Sequence, residues 1–140
     1  ETLALITPKT RLLIVNSPAN PTGGVTPKAE IDALVAGLAA HPDLAMMSDE
    51  IYGTMTYDGE QHHSLLKYDE VRDRLIYLDG ASKTYAMTGW RLGWSVWPKP
   101  LNEAARKLAV NSHSCVNAST QWVGVAALDG PQDCVAETAA

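Results

Sequence analysis

Lys83 is the first group in this sequence that could act as a nucleophile. It sits in Asp79-Gly80-Ala81-Ser82-Lys83-Thr84, just past an apolar run and among small residues rather than other charges. A lysine partly buried in such a place loses its proton more easily and then attacks aldehydes. The plain alternative is a solvated lysine, because lysines rarely bury. Asp49 closes a second apolar run, where a carboxylate can bond a positive group such as a protonated ring nitrogen, or cap the turn that follows. Tyr52, three residues on, can offer its hydroxyl to the same ligand, or pack with that hydroxyl bonded elsewhere. Asn20-Pro21-Thr22-Gly23 has the composition of a tight turn, which could project the Asn20 amide from a rigid loop or be a turn and nothing more. Arg91, between Trp90 and Leu92-Gly93, stands in apolar sequence and needs an anion: a phosphate held bidentately, or a buried acid.

Other candidates fall away. Ser82-Lys83-Thr84 mimics the end of a nucleotide P-loop, but that motif needs glycine at 77 and 82, where Tyr77 and Ser82 stand. His62-His63 lies in a polar stretch with no second ligand pair at metal spacing, so it reads as surface, and no metal is expected. His113 with Cys115 reads the same way. Glu50 reads as solvated or bonded to backbone. Cys115 and Cys134 are too few for a disulfide framework and read as small buried hydrophobes in a reducing, cytoplasmic setting.

These residues need a scaffold. Leu12 to Val15, Leu44 to Met47 and Leu75 to Leu78 are short continuous apolar runs, the pattern of strands buried on both faces. Residues 16 to 24 form a loop. Thr26 reads as a helix N-cap with Pro27 at the first helical position. Ile31, Leu34, Val35 and Leu38 then mark one helical face, ended by His41-Pro42. Residues 53 to 73 predict a loop with a short helical piece, and 81 to 90 a loop. Leu92 to Val96 predicts a fourth strand, and Pro98 to His113 and Ala118 to Leu128 predict helices, the second capped by Gly130. Pro131 to Ala140 is also helix-like. Trp90, Trp94 and Trp97 suit core or subunit contacts. Strands alternating with helices predict parallel pairing with crossovers in an open α/β sheet. Ligands of such sheets bind beyond the carboxyl ends of the strands, where 16–24, 49–52 and 80–91 all fall.

Composition narrows the function. With 46% hydrophobic residues the chain can build a core, and a net charge of -5 without a basic run argues against nucleic acid and anionic membranes. No stretch reaches the length of a membrane span. The chain begins just before a strand and stops inside a helix-like segment, which predicts an internal piece of a longer protein.

Three motifs carry a resemblance. They are Asn16-Ser17-Pro18-Ala19-Asn20-Pro21-Thr22-Gly23-Gly24, Ser48-Asp49-Glu50-Ile51-Tyr52, and Ser82-Lys83-Thr84-Tyr85-Ala86-Met87-Thr88-Gly89-Trp90-Arg91-Leu92-Gly93. In order and spacing they resemble the class I and II aminotransferases, fold type I of the pyridoxal-phosphate (PLP) enzymes, and within them the bacterial aspartate-aminotransferase-like branch. The likeness runs over essentially the whole chain. It implies that residues 1–140 are part of a large PLP-binding domain, a mostly parallel sheet with helices on both faces, incomplete at both ends. It implies catalytic roles for Lys83, Asp49 and Tyr52. Lys83 would hold PLP as an aldimine, Asp49 would pair with the protonated pyridine nitrogen, Tyr52 and Asn20 would bond the ring's phenolic oxygen, and Arg91 would hold the phosphate. The reaction implied is amino transfer between an L-amino acid and a 2-oxo acid by a cytoplasmic homodimer.

One position departs from the family's pattern. Many relatives carry a phosphate-binding serine three residues before the lysine, where this chain has Gly80. The family's upstream phosphate-binding turn and ring-stacking aromatic would precede Glu1, and its α-carboxylate arginine would follow Ala140, so the isolated chain is expected to be inactive and unstable. Two alternatives share the motifs: a PLP-dependent lyase or decarboxylase, and the aminotransferase-like effector domain of a transcription regulator.

Overall fold

Four short strands are laid side by side in chain order. The computed structural model describes residues 1–138. Its strands are β1 (Leu12–Asn16), β2 (Ala45–Asp49), β3 (Leu75–Gly80) and β4 (Gly93–Val96), and its helices are α1 (Lys28–Gly37), α2 (Asp69–Arg72), α3 (Ala81–Thr84), α4 (Lys99–His113), α5 (Ala118–Asp129) and α6 (Asp133–Thr138). The sheet order is β1-β2-β3-β4, with β1, β2 and β3 parallel and β4 antiparallel to β3. The chain is thus α/β with a mostly parallel sheet, as its sequence predicts.

The direction of β4 differs from the expected run of crossovers, for a reason of length. A parallel return must carry the chain back along the strand, about 20 Å for six residues, and is usually made by a helix. The link from β3 to β4 holds α3, one turn and about 6 Å of helix, and a single 3-10 turn at Thr88–Trp90, neither of which runs the length of the sheet. The chain therefore turns at the carboxyl end of β3 and comes back antiparallel. Gly93 pairs with Gly80, so the start of β4 lies at the same sheet edge as the ends of β1, β2 and β3.

Alternation sorts the strands into two faces. On one face Met46 and Leu75 meet Ile31, Val35 and Leu38 from α1 and the turn after it, together with Leu44, Leu65 and Val71. This is the core, and each fully buried large aliphatic side chain in it contributes about 1.5–3 kcal/mol. The other face is open at Ile14, 62% exposed. Helix α4 buries none of its residues.

Local details depart from the sequence pattern. Pro27 caps α1 rather than starting it, because its carbonyl accepts the first helical bonds from Glu30 and Ile31. Thr26 does not cap; its backbone N–H donates to Ser17 Oγ at 2.9 Å. Gly130 does cap α5, its N–H bonded to the Ala126 carbonyl, but in an extended rather than a left-handed conformation. Cys115 and Cys134 are exposed free thiols, not buried hydrophobes, because the helical stretches around them bury little. Trp90 is exposed and Trp94 and Trp97 are half-buried. Of the helix-like segment Pro131 to Ala140, α6 covers Asp133–Thr138, and residues 139 and 140 lie outside the described residues.

Candidate active site

Side chains far apart in sequence meet at the carboxyl edge of the parallel strands. The loop after β1 folds back on itself: Gly23 donates its N–H to Ala19 at 2.7 Å, and Ala19 to Gly24 at 2.9 Å. Asn16, the last residue of β1, ties this loop to β2. Its Nδ2 donates to the Asp49 carbonyl at 3.1 Å and its Oδ1 accepts from the Asn20 N–H at 3.0 Å. Asn20 is thereby aimed at the turn after β2, where its Nδ2 donates to Tyr52 Oη at 2.9 Å. The sequence singled out both residues, and the fold joins them directly. It also supplies Asn16, which lies in the same motif but carried no role in the sequence reading.

Lys83 comes to the same place from β3. It lies in α3, half-buried, where the sequence pattern predicts only loop. Its Nζ stands 5.5 Å from the centre of the Tyr52 ring, within cation–π range. The Thr84 and Thr54 hydroxyls, 2.8 Å apart, hold α3 to the turn that carries Tyr52.

Asp49 ends β2, half-buried, on the sheet face opposite the core. Its Oδ1 accepts from the Ile51 N–H at 3.3 Å, so it caps the turn after the strand, one of the two roles its position allows. Its other carboxylate oxygen is not used in that bond. The structure brings Asn20, Tyr52 and Lys83 into contact and gives Asp49 no side-chain bond to any of them.

Arg91 corrects an expectation. Its flanking residues are apolar, yet its side chain is exposed and donates to the Thr88 carbonyl at 3.1 Å. Trp90 beside it is itself exposed, so apolar neighbours in sequence do not enclose the guanidinium here. Arg91 adopts φ 56°, ψ 44°, a left-handed conformation that costs a non-glycine residue about 1 kcal/mol or more. It lines a cavity of about 170 Å³ with Ser82, Gly80 and Gly93. It also lines one of about 480 Å³ with His113, Asn117 and Thr120.

Gly80 now has a structural reason. A Cβ at this position would lie 2.9 Å from the Leu92 carbonyl oxygen and 3.0 Å from Gly93 Cα, so the close β3–β4 pairing leaves no room for serine.

Two further acids lie on the core face. Glu50 is buried, not solvated, and accepts from His62 Nε2 at 2.7 Å, Ser48 Oγ at 2.8 Å and the Leu65 N–H at 3.0 Å. His62 is therefore not a surface residue; its ring is drawn inward by a carboxylate that needs donors. No periodic signal reveals this pair, and only the apolar Leu65-Leu66 just after it hints that the loop returns to the core. Asp79 accepts from Tyr77 Oη at 3.0 Å and from the Gly80 N–H. Burial pushes the Asp79 carboxyl above its ordinary value, with smaller upward contributions from Glu50 and Asp49. Burial and Asp79 together push the Tyr77 hydroxyl up as well. Among the described residues no group of three or more His, Cys, Asp or Glu could hold a metal ion, and no helix is long and apolar enough to cross a membrane.

Comparison with known proteins places the chain in a family. The family model described as aminotransferase class I and II matches residues 1–140. The chain belongs to that family. It is 40% identical over 129 residues to the aspartate aminotransferase of Geobacillus stearothermophilus, covering 91% of this chain and 33% of the relative. It is 39% identical over 123 residues to aromatic-amino-acid aminotransferase 2 of Thermococcus litoralis, covering 88% of this chain and 31% of the relative. The crystal structure of the aspartate aminotransferase from Rhizobium meliloti superposes with a TM-score of 0.93 at 35% identity, over 97% of this chain and 34% of that one. The chain thus spans about a third of the length of the curated aminotransferases it matches. These relatives are named for different amino acids, so membership of the family leaves the substrate side chain open.

Proposed function

We propose that the protein carrying this chain is a PLP-dependent aminotransferase that moves an amino group between an L-amino acid and a 2-oxo acid. In this reading residues 1–140 form part of its large cofactor-binding domain. The observation that carries the reading is the meeting of Lys83, Tyr52 and Asn20 at one sheet edge, in a member of the aminotransferase family.

The donor set suits the cofactor. Lys83 is the amine that would hold its aldehyde. Tyr52 Oη, already accepting a hydrogen bond from Asn20 Nδ2, keeps its own proton free to donate to the ring's phenolic oxygen. Asp49 can accept from a protonated ring nitrogen, and its negative charge favours that protonated form. Arg91, beside Ser82 in the small cavity, can hold the phosphate bidentately. When bound, the cofactor supplies the electron sink that stabilises charge at the substrate α-carbon. Lys83 Nζ would then serve as the general base that takes the substrate's α-proton and as the acid that delivers it to the cofactor's carbon.

The whole protein is read as a cytoplasmic homodimer, with Cys115 and Cys134 reduced. The full-length protein tests the reading. Mixed with PLP it should gain an imine absorbance that borohydride fixes on Lys83. With an amino acid and a 2-oxo acid it should release a keto acid, without ammonia, by ping-pong kinetics. Absence of the Lys83 adduct in folded protein sinks the proposal, and ammonia release points to a lyase instead.

A further inference from the structure

The turn that carries Tyr52 is braced from beneath by a buried pair that this mechanism does not use. Glu50 is 4% exposed and stands on the sheet face opposite Asp49. Burial pushes its carboxyl up, but the bonds from His62, Ser64 and Ser48 outweigh that and leave it below its ordinary value. It is therefore ionised at neutral pH, and His62 must present a proton on Nε2 to make the 2.7 Å contact.

His62 is held tightly. Its Nδ1 is buried without a partner, a costly state that a loop histidine free to swing outward would escape. Its ring lies directly against the backbone of Gly53, the residue after Tyr52. A Cβ on Gly53 would fall 3.0 Å from His62 Cδ2 and 3.1 Å from the Glu50 carbonyl oxygen. The turn itself closes with the Gly53 N–H on that carbonyl at 2.7 Å. The brace therefore runs from the Glu50 carboxylate through the imidazole to the Gly53 backbone, and so to Tyr52.

We propose that His62 and Glu50 are positioning residues that set where Tyr52 stands, both its hydroxyl against Asn20 and its ring against Lys83. Gly53 is glycine because the imidazole occupies the space of a side chain. The spectroscopic part of the test rests on the aminotransferase reading, and the crystallographic part does not.

The experiment compares full-length wild type with His62→Ala and His62→Gln. Crystal structures without cofactor should show Tyr52 Oη moved out of hydrogen-bond range of Asn20 Nδ2 in His62→Ala. His62→Gln should restore the contact, because its amide N–H can still reach Glu50. With PLP bound, the pH midpoint of the visible absorbance should rise by about one unit in His62→Ala, the size of one lost hydrogen bond to the ring oxygen, and return in His62→Gln. An unchanged Tyr52–Asn20 contact with an unchanged midpoint in folded His62→Ala overturns the proposal. Should His62→Ala fail to fold, Glu50→Gln carries the test. It keeps an acceptor for Leu65 but weakens the charged bond to His62, and a wild-type Tyr52 position and titration there overturn the proposal equally. If wild type forms no Lys83 adduct, the aminotransferase reading falls, and the crystallographic comparison still decides this one.

Discussion

Asn20 Nδ2 donates to the hydroxyl of Tyr52 at 2.9 Å, and this bond joins the loop after β1 to the turn after β2. The two side chains act as one unit. Asn20 occupies a lone pair of the phenol, so the phenolic proton points elsewhere and can meet an arriving oxygen.

Tyr52→Phe removes that oxygen and leaves the ring beside Lys83 in place. Cofactor affinity in the full-length protein is expected to fall about two- to twelve-fold, the equivalent of one net hydrogen bond of about 0.5–1.5 kcal/mol. Asn20→Ala should act in the same direction, and the double variant should cost less than the sum, because the two share one bond. Additive losses in equilibrium titrations with PLP would mean that the residues work independently.

Lys83→Arg keeps a cation beside Tyr52 and removes the proposed nucleophile. Borohydride treatment with PLP should then leave no covalent adduct. Turnover should drop on the order of 10²–10⁴-fold for loss of the proton-transferring amine alone. Peptide mapping after reduction checks the first outcome and steady-state kinetics the second.

Glu50 and Asp79 give stability opposite pH slopes. Glu50 has its folded pKa lowered from 4.5, so within the window below 4.5 the unfolded chain binds more protons, and Glu50's contribution is lost as pH falls. Asp79 has its folded pKa raised from 3.8, chiefly by burial, so its effect runs the other way: stability falls as pH rises through the window above 3.8. Denaturant titrations of full-length protein from pH 7 to pH 3 should therefore show a shallower acid loss in Glu50→Gln than in wild type. Asp79→Asn should show a steeper one.

The sequence reads well where burial imposes a pattern. Leu75 and Ile76 are buried in a strand as their apolar run predicts, and Ile31, Val35 and Leu38 face the core as their spacing requires, whereas Leu12 to Val15 forms a strand buried on one face only, with Leu12 and Ile14 exposed. Asp49 lies at a strand end and Asn20, Tyr52 and Lys83 just past strand ends, which is why topology alone brings them to one sheet edge. Strand direction is another matter. Periodicity does not encode whether β4 runs up or down; the shortness of the helical pieces that link it to β3, α3 and the 3-10 turn at Thr88–Trp90, decides it. The exposure of Arg91 and the burial of His62 were equally hidden, since each depends on a partner remote in sequence or on a backbone angle. Trp90 and Leu92 make Arg91 look enclosed, and Gln61 and His63 make His62 look solvated.

Gly80→Ser would restore the residue many relatives carry, at a cost in this chain. The new Cβ would meet the Leu92 carbonyl oxygen at 2.9 Å, so β3 and β4 must separate. Overpacking of this kind costs about 1–3 kcal/mol. The melting temperature of the full-length protein should drop, and cofactor affinity should not improve despite the added hydroxyl. A stable, tighter-binding Gly80→Ser variant would mean that the strand pair yields easily.

Arg91 carries both a guanidinium and a strained backbone, and two substitutions separate them. Arg91→Ala removes the side chain and keeps a Cβ at φ 56°; Arg91→Gly removes both, and glycine adopts that angle freely. If the guanidinium serves the phosphate, both variants should lose PLP affinity alike, by tenfold or more for a charge-assisted bond of about 1.5–3 kcal/mol. Only Arg91→Gly should recover stability, by up to about 1 kcal/mol relative to Arg91→Ala, since the strain leaves with the Cβ. Thermal melts of the cofactor-free proteins measure the second difference without any contribution from binding. Equal melting temperatures would show that the left-handed turn is imposed by the chain around it and not resisted by the arginine, whereas unequal PLP affinities would tie the backbone conformation itself to phosphate binding.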